Sequence, residues 1–225
     1  NCGSGVSFGP DWRRAGRATP SHSTLSLDGY SSSRLGPVSR TSREYLEDVP
    51  EYVPIEISHS PDALTFQGGH DGYLKTHGLT HARTLEVAFD GRALAGEDML
   101  LALDDPDKRT FDAVMTAGSL SGIAFDIRFH LHPEVDAAVD LGGAAVSMAL
   151  KSGEVWVFRH DGSQTMDLSA SVYLEKGRLK PRATKQIVLS GKAMTYATRV
   201  RWSLSKAQET AMGVRDLRMD AIDLT

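Results

Sequence analysis

Cysteine is almost missing from this 225-residue chain: Cys2 stands alone, which excludes an internal disulfide framework and any multi-cysteine zinc motif while saying little about compartment. Long hydrophobic runs are missing too. Every apolar stretch is broken by a charge or a glycine well short of the about 18 residues a membrane helix requires. Neither charge sign is in large excess: the net charge is −4, with 24% charged and 40% hydrophobic residues, a composition that excludes a disordered chain and fits one large domain or two small ones. Several chemistries are excluded by inspection. No glycine-rich stretch ends in Gly-Lys-Ser/Thr, and there is no His-Glu-x-x-His pair. Gly118–Gly122 carries Leu120 where a nucleophile elbow needs serine, and Gly3, Gly5 and Gly9 miss the dinucleotide spacing by one residue. An initiator methionine and a signal peptide are also missing, and Asn1 to Gly9 read as the middle of a glycine-rich loop. We expect a processed or excised piece of a longer protein.

What is present is patterned. Residues 1–45 hold six arginines (Arg13, Arg14, Arg17, Arg34, Arg40, Arg43) against Asp11, Asp28 and Glu44, a net of +3 on a chain whose remainder is acidic. Such a basic end fits an anionic ligand, or ion pairs within the fold; the arginines are too sparse, and too little interleaved with aromatics, for nucleic acid. From Leu25 onward, short alternating runs are separated by turn signals. Thr84–Phe89 meets Asp90-Gly91 and returns through Arg92–Leu103. Val146–Leu150 returns through Ser152-Gly153 as Glu154–Arg159, and Phe125–Leu131 alternates strictly. Strands spaced about 8–12 residues apart predict an all-β fold, an antiparallel two-sheet sandwich. No apolar period near 3.6 is sustained, so helices are expected to be few and short, with a turn or two in Ser203–Val214. Residues 31–54, with three consecutive serines, Gly36-Pro37, Pro50 and Pro54, read as a long surface loop that could carry a short strand.

The eight histidines are the remaining candidates for chemistry. His130 and His132, with Asp126 and Arg128, share one face of a strand and could hold a metal or an anion, or form a polar outer face ended by Pro133. His70-Asp71-Gly72-Tyr73, followed by His77 and His81, could supply proton-transfer groups, or Asp71-Gly72 could be a plain hairpin turn. His59 and His160 lie beside turns. His22 stands at the entrance of the run Ser23–Leu27, behind the arginines, where it could ligate a metal or meet an acidic substrate.

At this point the residues resemble a family. Asn1–Gly29 (NCGSGVSFGPDWRRAGRATPSHSTLSLDG) is similar to the D-x-G-x-G loop, arginine tract, A-H-N-T strand entrance and V-D-G of heparinase II/III-like proteins. Gly69–Tyr73 (GHDGY), His77–Arg83 (HGLTHAR), Gly96–Leu100 (GEDML), Ile127–Pro133 (IRFHLHP) and Val200–Leu204 (VRWSL) resemble later segments in the same order, so the likeness spans essentially the whole chain. The resemblance implies the carboxy-terminal β domain of a bacterial, periplasmic polysaccharide lyase whose amino-terminal α/α toroid lies upstream. It implies β-eliminative cleavage of a heparin- or alginate-like uronate polymer, with the proton-transfer residues outside this chain, so that the chain alone is inactive. Arg13, Arg14, Arg17 and His22 would then meet the acidic polysaccharide, because guanidinium groups pair bidentately with carboxylates and sulfates. The resemblance also implies a possible zinc in the full-length protein, with His22 as a ligand. Two positions depart from the pattern: Asn1 replaces the loop aspartate, a weak neutral ligand in place of a carboxylate, and Ser23 replaces asparagine. His22 is therefore expected to organise the loop instead. Asn1 also keeps open a second reading, a carbohydrate-binding or structural module of a lyase-like protein that has lost activity. The strand nearest the start has lost its upstream partner, so an exposed edge and a homodimer are expected.

Overall fold

The computed structural model describes residues 1–3, 5–37 and 45–207. Its elements in chain order are α1 (Pro10–Ala15), β1 (Leu25–Leu27), β2 (Arg34–Leu35), β3 (Leu46–Asp48), β4 (Ile55–His59), β5 (Ala63–Tyr73), α2 (Leu74–His77), β6 (Leu79–Ala88), β7 (Ala93–Leu101), α3 (Asp105–Ala117), β8 (Ile123–His130), β9 (Asp136–Asp140), β10 (Ala145–Ala149), β11 (Val155–His160), β12 (Thr165–Tyr173), β13 (Arg182–Ala193) and β14 (Ala197–Lys206). An eight-stranded sheet runs β4-β5-β6-β7-β14-β11-β10-β9, and a four-stranded sheet runs β1-β8-β13-β12. All named pairs in them are antiparallel. The expected antiparallel sandwich is the observed architecture. β2 and β3 form a separate two-stranded ribbon inside the stretch read as a loop; residues 38–44, with Arg40 and Arg43, lie outside the described residues, as does 208–214 of the proposed carboxy-terminal turn. Ser203–Lys206 of that stretch belong to β14.

The predicted alternation decides the packing. Phe125, Ile127 and Phe129 of β8, with Ile187 and Leu189 of β13, face Trp202, Phe158, Val146 and Leu100 of the larger sheet in one core. Phe129 lies edge-on to Trp202, with ring centroids 4.6 Å apart, and tilts against Phe158 at 4.8 Å. Both hairpins legible in the sequence form: β6 returns as β7 around Asp90-Gly91, and β10 as β11 around Ser152-Gly153.

Three expectations are corrected. α3 is a 13-residue helix, longer than the weak apolar period allows. Its buried stripe is only Phe111 and Met115, one turn apart, and its start is set locally: Pro106 occupies the first turn and the Asp107 carboxylate accepts the Asp104 N–H at 3.2 Å. Asp71-Gly72 is not a hairpin turn. β5 runs through it to Tyr73, with a register shift between His70 and Tyr73, because the Tyr73 side chain must turn inward to be fully buried. Finally, the strand nearest the start, β1, is an edge strand, yet its three residues are all buried, so no exposed edge exists there.

Trp202 fits because of Gly96. The two are directly opposed across β14 and β7, and a Cβ on Gly96 would lie 2.1 Å from the indole. Gly96→Val is expected to destabilise the fold by roughly 2 kcal/mol or more, seen as a lower midpoint of urea unfolding followed by tryptophan fluorescence; an unshifted midpoint would show that the indole relocates freely.

Candidate functional site

The site begins with how the first residues are held. The Cys2 N–H donates to the Ser21 carbonyl at 2.9 Å, and the Leu174 N–H donates to the Cys2 carbonyl at 2.6 Å. Gly3 adopts φ +86° and lies so close to the Leu174 backbone that a Cβ there would sit 2.5 Å from its carbonyl oxygen. Only glycine meets both demands. The loop is thus stitched to the end of β12 on one side and to the turn before β1 on the other.

His130, at the end of β8, plugs the space beneath. Its Nε2 is 2.9 Å from the Pro20 carbonyl and must donate to it, which leaves Nδ1 as an acceptor toward Ser171 Oγ at 3.1 Å and Cys2 Sγ at 3.4 Å. The His130 N–H donates to Ser23 Oγ at 3.1 Å. Burial holds the His130 pKa below its ordinary value, against the pull of the Pro20 carbonyl. His132 points elsewhere, edge-on to Tyr173 with centroids 5.1 Å apart, so the two histidines do not act as a pair.

A second, deeper group supports the same turn. Asp98 of β7 is 1% exposed and accepts four hydrogen bonds: His81 Nε2 (2.8 Å) and Arg83 Nε (2.8 Å) on Oδ1, Arg83 Nη2 (3.0 Å) and Trp202 Nε1 (2.9 Å) on Oδ2. Burial alone would raise the carboxyl pKa, but the His81 hydrogen bond and the Arg83 charge outweigh it and bring it down to about 2. The remaining arm of Arg83, Nη1, donates to the Ser23 carbonyl at 2.6 Å. A buried carboxylate thereby fixes the guanidinium, and the guanidinium fixes the backbone next to His22. Behind it the protons fall in one consistent order. The Gly72 N–H donates to His70 Nδ1 at 3.2 Å, His70 Nε2 to His81 Nδ1 at 3.2 Å, and His81 Nε2 to Asp98. His70 is neutral in this arrangement, and burial together with the neighbouring His81 lowers its pKa to about 4. Tyr73 is not a proton-transfer group here: its hydroxyl donates to the Leu25 carbonyl at 3.0 Å within the core. His77 is also buried, its Nδ1 2.8 Å from Thr76 Oγ1.

The four residues singled out from the sequence are only partly united. His22 is exposed beside His130, and partial desolvation lowers its pKa. Arg13 and Arg14 sit on α1 and Arg17 just after it, all exposed. Arg14 turns to the Gly36 and Leu35 carbonyls at 3.1 and 3.4 Å and lines a cleft of about 650 Å³ together with Arg34, Tyr30, Asp28 and Asp48. That cleft is of mixed charge. A zinc ion does not fit the residues present: Asn1 Oδ1 accepts the Gly3 N–H at 2.9 Å, the His130 ring nitrogens are committed as above, and among the described residues no group of three or more His, Cys, Asp or Glu converges. The Asp98 network escaped the sequence reading, although its members lie in the quoted segments GHDGY, HGLTHAR, GEDML and VRWSL.

Removing the central carboxylate tests the network. Asp98→Ala strands Arg83 and is expected to cost about 3–5 kcal/mol, with the amides of Thr24 and Arg128, bonded to the His22 and Thr24 carbonyls, losing hydrogen-exchange protection first; a loss below about 1 kcal/mol would mean that Arg83 finds another partner. The pH dependence has a definite sign. A folded His70 pKa of about 4 against 6.5 unfolded means its contribution is complete above pH 6.5 and is lost as pH falls toward 4. Asp98, depressed to about 2, adds a further loss only as pH falls from about 4 through 2. His70→Gln should remove roughly 2 kcal/mol of the pH 6.5-to-4 slope, measured by urea unfolding at stepped pH, and an unchanged slope would assign it to another group.

Comparison with known proteins places this geometry. Residues 1–203 match the family described as heparinase II/III-like, C-terminal. FtsZ-localized protein C of Caulobacter vibrioides is 28% identical over 183 residues, which cover 81% of this chain and 29% of that protein. Among solved structures, the heparan sulfate lyase HepC of Pedobacter heparinus aligns over 88% of this chain and 26% of its own with a TM-score of 0.62 at 11% identity. A heparinase III structure aligns over 88% of this chain and 25% of its own with a TM-score of 0.61 at 12% identity. At such identities the likeness to the solved structures is one of fold. The chain spans under a third of the length of these proteins. It belongs to the heparinase II/III-like C-terminal family, which is related to the polysaccharide lyases.

Proposed function

We propose that this chain is the carboxy-terminal β domain of a longer, lyase-type protein, and that it walls one side of a cleft for a uronate-containing polysaccharide. The observation that carries the reading is the double anchoring of the first turn. Gly3 against Leu174 and Arg83 against Ser23 hold the backbone rigidly while His22, Arg13 and Arg17 stay exposed on the same amino-terminal segment. A preorganised edge bearing cations suits a polyanion. β-Elimination needs a base for the proton beside the sugar carboxylate, an acid for the leaving oxygen, and charge neutralisation at the carboxylate. In this reading the described residues contribute only the last, by binding and orienting the acidic sugar; base and acid belong to the upstream domain, and the protein works in the periplasm.

A specific observation favours a second reading. The curated relative is named for localisation with FtsZ, its identity to this chain is more than twice that of the lyase structures, and Asn1 takes the place of the family's loop aspartate. The alternative is a module that binds or assembles and cuts nothing.

One assay separates them. The full-length protein is incubated with alginate, heparan sulfate, hyaluronan and glucuronan, and the ultraviolet absorbance of unsaturated uronate is followed. A rise supports the lyase reading; in that case Arg13→Ala or Arg17→Ala should raise KM about fivefold, roughly 1 kcal/mol, with the effect fading at high salt and kcat unchanged. Silence on every polymer, with a fluorescent fusion that gathers where FtsZ does, would establish the second reading.

A further inference from the structure

The eight-stranded sheet has two edges, β4 and β9. Every residue of β4 is exposed, and Ile55 and Ile57 are 64% and 65% accessible. Natural edges are usually guarded by a bulge, an inward charge or a proline that removes an outward donor; β4 has no register shift against β5, and the flanking Pro54 sits at a position that bonds toward β5. The hydrogen bonds flanking it reveal which of its backbone groups are open. Ser60 N–H donates to Ala63, Gly69 N–H to the Pro54 carbonyl, and Asp71 N–H to the Tyr52 carbonyl. Bonded pairs alternate along an antiparallel ladder, so the even-numbered residues 52 to 60 bond toward β5. Ile55, Ile57 and His59 therefore turn their N–H and C=O groups outward from the sheet. Their side chains share a face with Leu64 and Phe66, and onward with Leu85 and Val87. Leu64 and Val87 are themselves exposed.

We infer that β4 pairs antiparallel with β4 of a second copy, about a two-fold axis at Ile57. Ile57 then exchanges both backbone bonds with its own counterpart, and Ile55 does so with His59 of the second copy. The charges suit this occupant: Glu56 faces Ser58 of the second copy, so no like charges are opposed. The other edge rejects the same arrangement, because self-pairing β9 about Ala138 would set Asp136 against Asp140 of the second copy. Joining two β4 strands also runs the apolar row of Leu85, Phe66 and Ile57 directly into its copy. The contact is small, so the dimer is weak and reversible, with a dissociation constant on the order of 10–100 µM.

Sedimentation equilibrium of the full-length protein across that range is the test. The expected result is a mass rising with concentration toward the dimer, and Ile57→Lys, which brings two ammonium groups to the axis, should weaken association at least tenfold without moving the unfolding midpoint. In a Cys2→Ser background, Ile57→Cys should form an intermolecular disulfide on mild oxidation, because opposed bonded positions lie at about 5.5 Å between Cα atoms, while Ser58→Cys should not. A monomer at every concentration, association unaffected by Ile57→Lys, or cross-linking at position 58 instead of 57 would overturn the inference.

Discussion

The Asp98 carboxylate is the interaction on which the rest depends. It is fully buried, and it is tolerated there because all four of its lone-pair directions meet donors, two of them from one planar guanidinium. The network spans three adjacent strands of the large sheet. β6 supplies His81 and Arg83, β7 the carboxylate itself, and β14 Trp202, so the network holds the sheet's middle in register as well as satisfying a charge. An apolar substitute of the same volume could fill the space. It could not orient Arg83, and Arg83 carries the effect out of the core to the Ser23 carbonyl.

The surface loop is the far end of that chain of support. Arg83 holds Ser23 from below, Ser23 Oγ receives the His130 N–H, and His130 reaches across to the Pro20 carbonyl. Cys2 and Gly3 close the circuit against Ser21 and Leu174. The turn that carries His22 is therefore constrained on several sides by buried groups, although His22 itself faces solvent. His70, His77 and His130 are bonded and turned inward, while Arg13, Arg14, Arg17 and His22 lie exposed at the surface.

This division bears on the two functional readings. A wall that positions an acidic sugar needs rigidity and exposed cations, both of which the amino-terminal segment has. A module for assembly needs a surface that others can join, and the unguarded β4 edge is such a surface on another part of the molecule. The two properties are carried by different elements, so a descendant of a lyase could lose the first and keep the second.

Much of the architecture was legible in the residues. Alternation in Phe125–Leu131 and the two-residue turn at Asp90-Gly91 define strands and a hairpin by local rules. That turn alone sets Arg83 opposite Asp98, so half of the central network was readable from one hairpin register. α3 was missed because two buried residues one turn apart make no periodicity, and the break at Asp71-Gly72 was misread because a buried Tyr73 overrode a local turn preference. The partners that no local pattern could supply are Trp202, which reaches Asp98 from about a hundred residues away, and Ser23, His130 and Ser171, which meet only when β1, β8 and β12 assemble. The sequence by itself determined the strands, their hairpins and the family segments, because those follow from period and turn chemistry over a few residues. Only the tertiary structure decided that the segments converge on one buried carboxylate, because pairing between distant strands depends on the packing of the whole core.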